Sequence, residues 1–388
     1  MVVFFFIILF LLIYGGLSYY VGLRAWHWLG LLAPQPLPVP GWVYWSLFWL
    51  LAFSFVLGRL ASGRAPKLVT GVLSNVGAYW LGVLSCGVLW LALVDLFRLL
   101  NRWTGLIPAR LIANISLTRY GGAVVCLVLL AALLYGTWRA RTPVVTEYTL
   151  SIAKSAGQYR ELNVVLVSDI HLGYIIGNNR IRQLVTMVGG LHPDLILIPG
   201  DIIDNDYRPF VAYGMAAELG KLKSPLGIYA CPGNHDLGPE GLPGFRAQMQ
   251  RAGIRLLADE WVKVDDSLVI VGRKDHSSPR PSGPVIPLDG IVQGVDHSLP
   301  ILLLDHNPNR LGDAVAAGVD LQVSGHTHRG QIFPFNFITS RVFEVDWGYL
   351  KKGATHFVVS LGFGTWGPPI RIGNRPEVVR IHLTFGNQ

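Results

Sequence analysis

The sequence predicts a layered α/β domain preceded by a helical membrane region, and three observations support this prediction. Residues 1–144 contain long apolar stretches, whereas residues 145–388 alternate short aliphatic runs with amphipathic segments. The composition, 51% hydrophobic and only 14% charged, is too apolar for an ordinary soluble enzyme. Side chains of metal-binding type follow several of the short aliphatic runs, where α/β sheets usually place their sites. We therefore expect a membrane region over 1–144 and a second domain over 145–388.

Four apolar stretches of the first region are long enough to cross a bilayer, which requires about 20 residues per helix. They run over about 2–23, 42–60, 72–96 and 120–138. The alternative for the first stretch is a cleaved signal peptide. No Lys or Arg precedes it, however, and the first charge, Arg24, follows it, so we favour a retained anchor.

Charge is distributed unequally between the two predicted domains. Residues 1–144 carry ten Lys and Arg residues and a single acid, Asp95, whereas residues 145–388 carry 22 basic and 23 acidic residues. The excess of positive charge therefore belongs to the ends and loops of the membrane helices, and no basic cluster stands out in the second domain. We expect the lipid bilayer as a partner and no nucleic-acid partner.

Two features of the membrane region leave alternatives open. Asp95 either marks a polar pathway or pairs with a nearby arginine, Arg98 or Arg102. Residues 97–115 alternate arginines with Leu, Ile and Trp, and they either lie flat in the interface or form a positively charged loop. Five basic residues fall on each side if all four stretches span the membrane, so charge alone does not orient the protein. The free amino terminus favours a cytoplasmic catalytic domain on the inner membrane.

The second domain alternates strands and helices in the manner of a βαβ chain, which predicts parallel strand pairs at its centre. Strands are expected near 163–168, 195–199, 227–231, 261–264, 267–272, 301–305, 319–323, 355–361 and 377–383. Helices are expected near 178–190, 210–222, 242–252 and 309–317. The segment 273–299, rich in Pro, Gly, Ser and Asp, has no clear periodicity and is expected to be functional or disordered.

Polar residues of metal-binding type follow five of the predicted strands. The groups are Asp169-Ile170-His171, Gly200-Asp201-Ile202-Ile203-Asp204, Gly233-Asn234-His235-Asp236, Asp305-His306 and Gly325-His326-Thr327-His328. Taken singly, an Asp after a strand is often a helix cap, and a His is often an ordinary loop residue. Together they supply seven oxygen and nitrogen ligands at carboxyl ends of strands. This predicts one site for divalent cations.

The set of motifs resembles the calcineurin-like metallophosphoesterase superfamily, whose pattern runs D-x-H, G-D-x-x-D, G-N-H-D/E, H and G-H-x-H. The resemblance covers roughly residues 160–385, and every block is present in order. It implies that 145–388 form a four-layer sandwich of two mixed sheets flanked by helices. It also implies a metal-dependent phosphoesterase.

The resemblance further implies a role for each matched side chain. One cation would be held by Asp169, His171, Asp201 and His328. The other would be held by Asp201, Asn234, His306 and His326, so that Asp201 bridges the two. His235 would contact the phosphoryl group and help the leaving oxygen to depart, whereas Asp204 is commonly structural in the family. Asp236 either orients His235 or is a helix cap.

The chemistry of such a centre follows from two cations about 4 Å apart that share a carboxylate. They lower the pKa of bound water, so that a metal-activated hydroxide is available at neutral pH, and they bind both the attacking and the leaving oxygen of an in-line displacement. Ligation by Asp, His and Asn without Cys suits two divalent ions, and we expect manganese, with iron or zinc as alternatives.

Two arginines are candidates for substrate contact. The segments 325–331 and 362–371, which contain Arg329 and Arg371, resemble bacterial membrane-associated members of the superfamily, among them relatives of UDP-2,3-diacylglucosamine pyrophosphohydrolase. Arg371 either binds a phosphate or pairs with Glu377. Asp305, directly before His306, departs from the pattern, and it either supports the metal ligands or tunes the choice of substrate.

The predicted function is that of a membrane-anchored phosphoesterase acting on a phosphoester or pyrophosphate bond of a phosphorylated or nucleotide-linked lipid. Anchoring favours a substrate in the bilayer because it raises the effective concentration of that substrate. In one alternative the same chemistry acts on a soluble nucleotide or a phosphoprotein. In another the membrane region is a transporter or sensor and the metal domain regulates it.

Overall fold

The chain divides into two compact units. The computed structural model describes residues 2–32, 39–112, 114–238, 241–277 and 283–386. One unit comprises 1–137 with 367–369, and the other comprises 138–366 with 370–388.

The N-terminal part of the chain is helical. Its helices are α1 (Val2–Leu32), α2 (Gly41–Ala61), α3 (Lys67–Thr104), α4 (Ala109–Ile112) and α5 (Ile115–Arg141). Among the described residues, all of these except α4 are long and apolar enough to cross a membrane, which confirms the prediction of four spans. The stretch 97–115 is not a separate element, because 97–104 complete α3 and α4 has only four residues.

Polar contacts join α1 and α3 near the end of the third span. The Asp95 carboxylate accepts hydrogen bonds from the Arg24 guanidinium and, at 2.7 Å, from the Tyr20 hydroxyl. Arg98 Nη1 lies 4.0 Å from Asp95 Oδ1. The predicted pairing of Asp95 with Arg98 is thus present, but Arg24, distant in sequence, is the closer partner.

The second unit contains two six-stranded sheets. Their strands are β1 (Val144–Ile152), β2 (Glu161–Leu166), β3 (Leu195–Pro199), β4 (Ile228–Cys231), β5 (Arg255–Leu256), β6 (Glu260–Val264), β7 (Leu268–Arg273), β8 (Ile301–Asp305), β9 (Leu321–Ser324), β10 (Gly348–Lys352), β11 (Thr355–Val359) and β12 (Glu377–Phe385). The first sheet has the order β1-β12-β2-β3-β4-β5, and the second has the order β10-β11-β9-β8-β7-β6. Both sheets are mixed, since β12 runs antiparallel to β2, and β6 and β10 run antiparallel to their neighbours.

Helices complete the second unit. They are α6 (Asn178–Gly190), α7 (Tyr207–Ala212), α8 (Met215–Leu219), α9 (Gly241–Arg251), α10 (Leu288–Ile291), α11 (Leu311–Ala316) and α12 (Asn336–Val342), with a 3₁₀ turn at His328–Gly330.

Three apolar clusters separate the layers of this unit. Alternate residues of β3 point to opposite faces, so Leu197 packs between the sheets while Ile198 packs against the helices outside the first sheet. In the second sheet Leu304 faces the first sheet, and Leu303 packs outward with Leu311 of α11. The order helix, sheet, sheet, helix confirms the expected four-layer sandwich.

Several elements differ from the sequence-based prediction. The helix expected over 210–222 is divided into α7 and α8, because Gly214 between them adopts a left-handed conformation with φ of 61°. The strands β1, β5 and β10 and the helix α12 were not predicted. The segment 273–299 contains α10, and its residues 278–282 lie outside the described part of the chain.

Candidate metal centre

The five polar motifs meet at the carboxyl ends of strands from both sheets. Three of them follow β2, β3 and β4 of the first sheet, and two follow β8 and β9 of the second. Hydrogen bonds between the turns fix their positions: the backbone N–H of His171 donates to the carbonyl of Asp201 at 3.0 Å, and that of Gly325 to the carbonyl of His306 at 3.0 Å. All seven predicted ligands therefore lie in one crevice.

The first group of ligands lies around Asp169. His328 Nε2 is 3.4 Å from Asp169 Oδ1, and His171 Nε2 is 3.9 Å from the same oxygen. The two imidazole Nε2 atoms lie 3.0 Å from each other. One atom from each residue of this group therefore points towards a common position, as ligands of one cation do.

The second group of ligands lies around Asn234. Its Oδ1 atom is 3.0 Å from His306 Nε2 and 2.9 Å from His326 Nδ1. Asp201 Oδ2 links the two groups, because it lies 3.2 Å from His306 Nε2 and 3.7 Å from His171 Nε2. Asp201 thus lies between the two groups of ligand-type side chains, and its role as a bridging ligand stays a prediction.

Buried charge and backbone packing show that these residues fit two divalent cations. Asp169 and Asp201 are almost fully buried, and a buried carboxylate requires a compensating positive charge. The turns leave no room for other side chains: a Cβ atom at Gly233 would lie 2.2 Å from Asp201 Oδ1, and one at Gly325 would lie 2.1 Å from Asp169 Oδ2. The glycines therefore allow the backbone to approach these two carboxylates.

Backbone strain is concentrated at the ligands. The left-handed region, which non-glycine residues seldom adopt, contains Asp169 (φ 51°), His171 (53°), Asp201 (52°), His326 (72°) and His328 (45°). Such conformations cost of order 1–3 kcal/mol each and are usually retained where function requires them. Here they turn the side chains into the crevice directly after each strand.

The electrostatic environment keeps three of the four ligand imidazoles in the form that binds metals. Against the effect of burial, the neighbouring Asp201 carboxylate raises the pKa of the fourth, His306. Burial lowers the pKa of His171 to about 4 and that of His326 to about 4. Burial and then the neighbouring Arg371 guanidinium depress the pKa of His328. Neutral imidazole is the form that coordinates a cation, so these three ligands are prepared for binding at neutral pH.

His235 lies beside the two groups of ligands. Its backbone N–H donates to Asp201 Oδ1 at 2.8 Å, and its ring centroid is 5.3 Å from that of His171. The side chain is half-buried, and the Asn205 amide donates to its Nδ1 atom at 2.5 Å. The imidazole is therefore held at the edge of the crevice and is accessible from outside.

The expectation that Asp236 orients the His235 ring is wrong. The Asp236 carboxylate is fully buried, and it accepts hydrogen bonds from the backbone N–H groups of Asp201 (2.7 Å), Ile203 (2.8 Å) and Gly233 (2.8 Å). These contacts join the turns after β3 and β4, so Asp236 shapes the backbone that carries Asp201. The residue that contacts the ring is Asn205.

The expectation that Arg371 binds substrate is also wrong. Its side chain is 0% exposed, and its Nη atoms donate to the carbonyls of Leu361 (2.8 Å) and Gly364 (2.7 Å) and to the side chain of Asn374 (3.1 Å). The guanidinium is therefore directed into the protein, behind His328. The alternative, a pairing with Glu377, is present as an electrostatic interaction: burial lowers the pKa of Arg371 to about 9, whereas the Asp169 and Glu377 carboxylates act in the opposite direction. A hydrogen bond between Arg371 and Glu377 is not among the described contacts.

Arg329 and Asp305 take other positions. Arg329 is half-buried, and its guanidinium stacks on the Trp347 ring, with Cζ 4.8 Å from the ring centroid. Asp305 is buried and accepts a hydrogen bond from Arg273 Nη1 at 3.2 Å. Asp305 therefore pairs with the guanidinium of Arg273 on β7. Direct contact of Arg329 with the substrate stays a prediction.

The structure adds a carboxylate that sequence reasoning missed. Asp275 lies close to His306 and His326, with one ligand atom of each within 4.8 Å of the others. It is 7% exposed, its Oδ1 atom accepts from Ser277, and its Oδ2 atom has no hydrogen-bond partner among the described residues. The only signal in the sequence is its location in the non-periodic segment 273–299.

Several known proteins are similar to this chain in sequence or in structure. Residues 162–330 match the family described as calcineurin-like phosphoesterase. A transmembrane protein with metallophosphoesterase domain from Danio rerio is 30% identical, over 84% of this chain and 79% of its own length. An uncharacterized metallophosphoesterase from Aquifex aeolicus is 32% identical, over 62% of this chain and 91% of its own. A dimetal phosphatase structure from Danio rerio shows 14% identity and a TM-score of 0.34, over 54% of this chain and 89% of that one.

Proposed function

We propose that this chain, which belongs to the calcineurin-like phosphoesterase family and is therefore a metal-dependent phosphoesterase, hydrolyses a phosphoester or pyrophosphate bond of a lipid-linked or nucleotide-linked substrate. The chain also has membrane-spanning helices. In this proposal residues 1–144 anchor the protein and residues 145–388 carry out hydrolysis. The observation that carries the proposal is the convergence of seven ligand-type side chains, Asp201 among them, in one crevice of a chain whose described residues include four candidate spans.

Two divalent cations, preferentially manganese, would complete the centre. The first would be held by Asp169, His171, Asp201 and His328. The second would be held by Asp201, Asn234, His306 and His326. When bound, the cations neutralise the phosphate oxygen atoms and lower the pKa of water.

The protein side chains would perform the remaining steps. In its protonated form the His235 imidazole would donate the Nε2 proton to the leaving oxygen and become neutral, while the Asn205 side-chain amide contacts Nδ1 and orients the ring. The Asp236 carboxylate holds the turn that carries Asp201, and Arg371 supports His328 from behind. This division of roles separates proton transfer from metal binding.

The proposed substrate lies in or at the bilayer. Anchoring raises the effective concentration of a lipid-linked substrate but gives no such advantage for a soluble one. The orientation that we propose places residues 145–388 in the cytoplasm, at the inner membrane.

The test uses the full chain reconstituted in vesicles. We expect faster hydrolysis of lipid-linked phosphate or pyrophosphate esters in the bilayer than of their soluble headgroup analogues. Chelation should abolish activity, and manganese should restore it best, with two ions counted per chain. Equal rates on both kinds of substrate would favour a soluble nucleotide or phosphoprotein, and full activity with one ion or none would exclude the two-cation centre.

A further inference from the structure

An open cavity of about 700 Å³ lies in the second unit, beside the loop that follows Asp169 and His171. Its walls come from the loop 173–177, the start of α6, the final residues of α5, and Tyr213, Met215 and Thr365. No predicted metal ligand is among these lining residues, although Gly173 is only two residues from His171. The cavity is therefore separate from the metal centre and adjacent to it along the chain.

The cavity lining is basic and rich in hydrogen-bonding groups. It includes two arginines, Arg141 and Arg180, and three side-chain amides, but no Asp or Glu among the residues that form it. Tyr174 and Tyr213, whose rings pack edge to face, also line the cavity. A lining of this kind suits an anion that also carries hydroxyl groups.

Arg180 builds the wall of the cavity. Its guanidinium donates to the carbonyls of Ala140 (2.9 Å), Arg141 (3.1 Å) and Phe363 (2.7 Å), and it stacks on the Phe363 ring at 4.2 Å. These bonds fix the backbone of Arg141, while the Arg141 side chain itself is exposed. The charge that remains available to a ligand is therefore that of Arg141.

A second available group is the hydroxyl of Thr365. This residue is 4% exposed, and its Oγ1 atom has no hydrogen-bond partner among the described residues, although it lines a polar cavity. A buried hydroxyl without a partner is costly, which favours a ligand or water at this position. Thr365 directly precedes Trp366, whose ring centroid is 5.9 Å from that of His235. Thr365 therefore connects the wall of the cavity to the residue that packs beside the proposed proton donor.

We infer that this cavity binds the anionic, hydroxyl-bearing headgroup of the substrate while the scissile phosphate lies at the metal centre; this inference rests on the proposed function. Arg141 supplies the positive charge, and Thr365 supplies a hydrogen bond. Arg141 is also the last residue of α5, so this wall forms where the chain leaves its last candidate span. A headgroup of a lipid is therefore favoured over a free anion.

The experiment compares the full chain with its variants Arg141→Ala and Thr365→Val, all reconstituted in vesicles. Arg139→Ala is the matched control, because it removes the same charge two residues away and does not line the cavity. For a vesicle-borne lipid pyrophosphate we expect Arg141→Ala to raise KM about tenfold and Thr365→Val severalfold. For bis(4-nitrophenyl) phosphate, which has no such headgroup, kcat and KM should stay within twofold. Unchanged KM for the lipid in both variants, or equal effects of Arg139→Ala, would overturn the inference.

Binding measurements separate this inference from the proposed function. With glycerol 3-phosphate as the probe, Arg141→Ala should raise Kd about tenfold, even if wild-type protein hydrolyses neither substrate and the proposed function fails. Inorganic phosphate serves as the second probe and should depend less on Arg141, because it lacks the glycerol hydroxyl groups that hold the first probe in the cavity. Equal dependence of both probes on Arg141 would overturn the headgroup assignment in favour of a simple anion site.

Discussion

The Nη2 atom of Arg371 lies 3.0 Å from the Nδ1 atom of His328. A fully buried guanidinium therefore contacts a predicted metal ligand from behind. Asn374 strengthens this arrangement, because it accepts from Arg371 and donates to the His328 carbonyl at 3.0 Å. The guanidinium also bonds to the carbonyls after β11, which connects the ligand to a distant segment. Arg371 therefore acts as a positioning residue.

Replacing Arg371 by lysine should destabilise the protein. A single ammonium group cannot replace the planar guanidinium, so buried carbonyls lose their donors, at a cost of about 3 kcal/mol. We expect a lower midpoint of thermal unfolding and reduced metal content. The matched variant Arg380→Lys, at a partly exposed arginine of β12, should change neither. An unchanged midpoint with a raised KM would instead indicate a substrate contact.

Replacing His235 by alanine should separate catalysis from metal binding. Turnover should fall by a factor on the order of 10²–10⁴, the range for a general acid–base group, while metal content stays near that of the wild type. Asp201→Ala should lose both metal and activity, because Asp201 lies between the two groups of ligands. Metal analysis of both purified variants checks this, and loss of metal from His235→Ala would make His235 a ligand.

Replacing Asn205 by glycine should impair the orientation of His235. Asn205 has a φ of 59°, which glycine adopts without strain, so the variant removes the amide and keeps the turn. We expect kcat to fall about tenfold, with a shifted pH profile of kcat and unchanged metal content. Measured kcat and pH profile equal to those of the wild type would show that the amide has no role in catalysis.

Replacing Asp275 by asparagine should weaken binding of the second cation. The change removes a negative charge next to His306 and His326 at nearly constant size, and we expect about a tenfold rise in Kd for one of two ions. Titration with manganese, followed calorimetrically, measures this. The control Asp266→Asn removes an exposed acid from the turn between β6 and β7. Equal affinities in Asp275→Asn and the control would exclude Asp275 as a ligand.

The side chains that meet in the crevice could be predicted from the sequence because each one follows a strand within a few residues. For Asp169 and Asp201, an aliphatic run followed directly by a polar residue fixes the edge of the sheet at which the side chain lies. The spacing between each strand and the polar residue after it therefore predicts where that side chain lies in the site. The same reasoning found the four spans, since length and apolarity are local properties.

The residues that were missed or misassigned depend on contacts between distant segments. Asp275 reaches the site from a segment without periodicity, and Arg371 is placed by carbonyls around 361–364. Asn205 replaces Asp236 as the partner of His235 because left-handed backbone at Asn205 brings its amide to the ring, which sequence spacing does not reveal. The strand β1 alternates exposed and partly buried residues, as a half-buried strand does, but its partner β12 is remote in sequence, so only the pairing reveals its place in the sheet.

The position of β12 between β1 and β2 constrains the order in which the strands of the first sheet can pair during synthesis. The strand β1 directly follows α5 and pairs with β12, whose residues lie more than two hundred positions later in the chain. During synthesis the membrane helices and β1 therefore emerge long before the strand that separates β1 from β2. Pairing so distant in sequence is slow, and an unpaired strand edge is exposed until it is complete. Newly inserted chains must consequently wait, with an open first sheet, for β12 to arrive before this sheet can close.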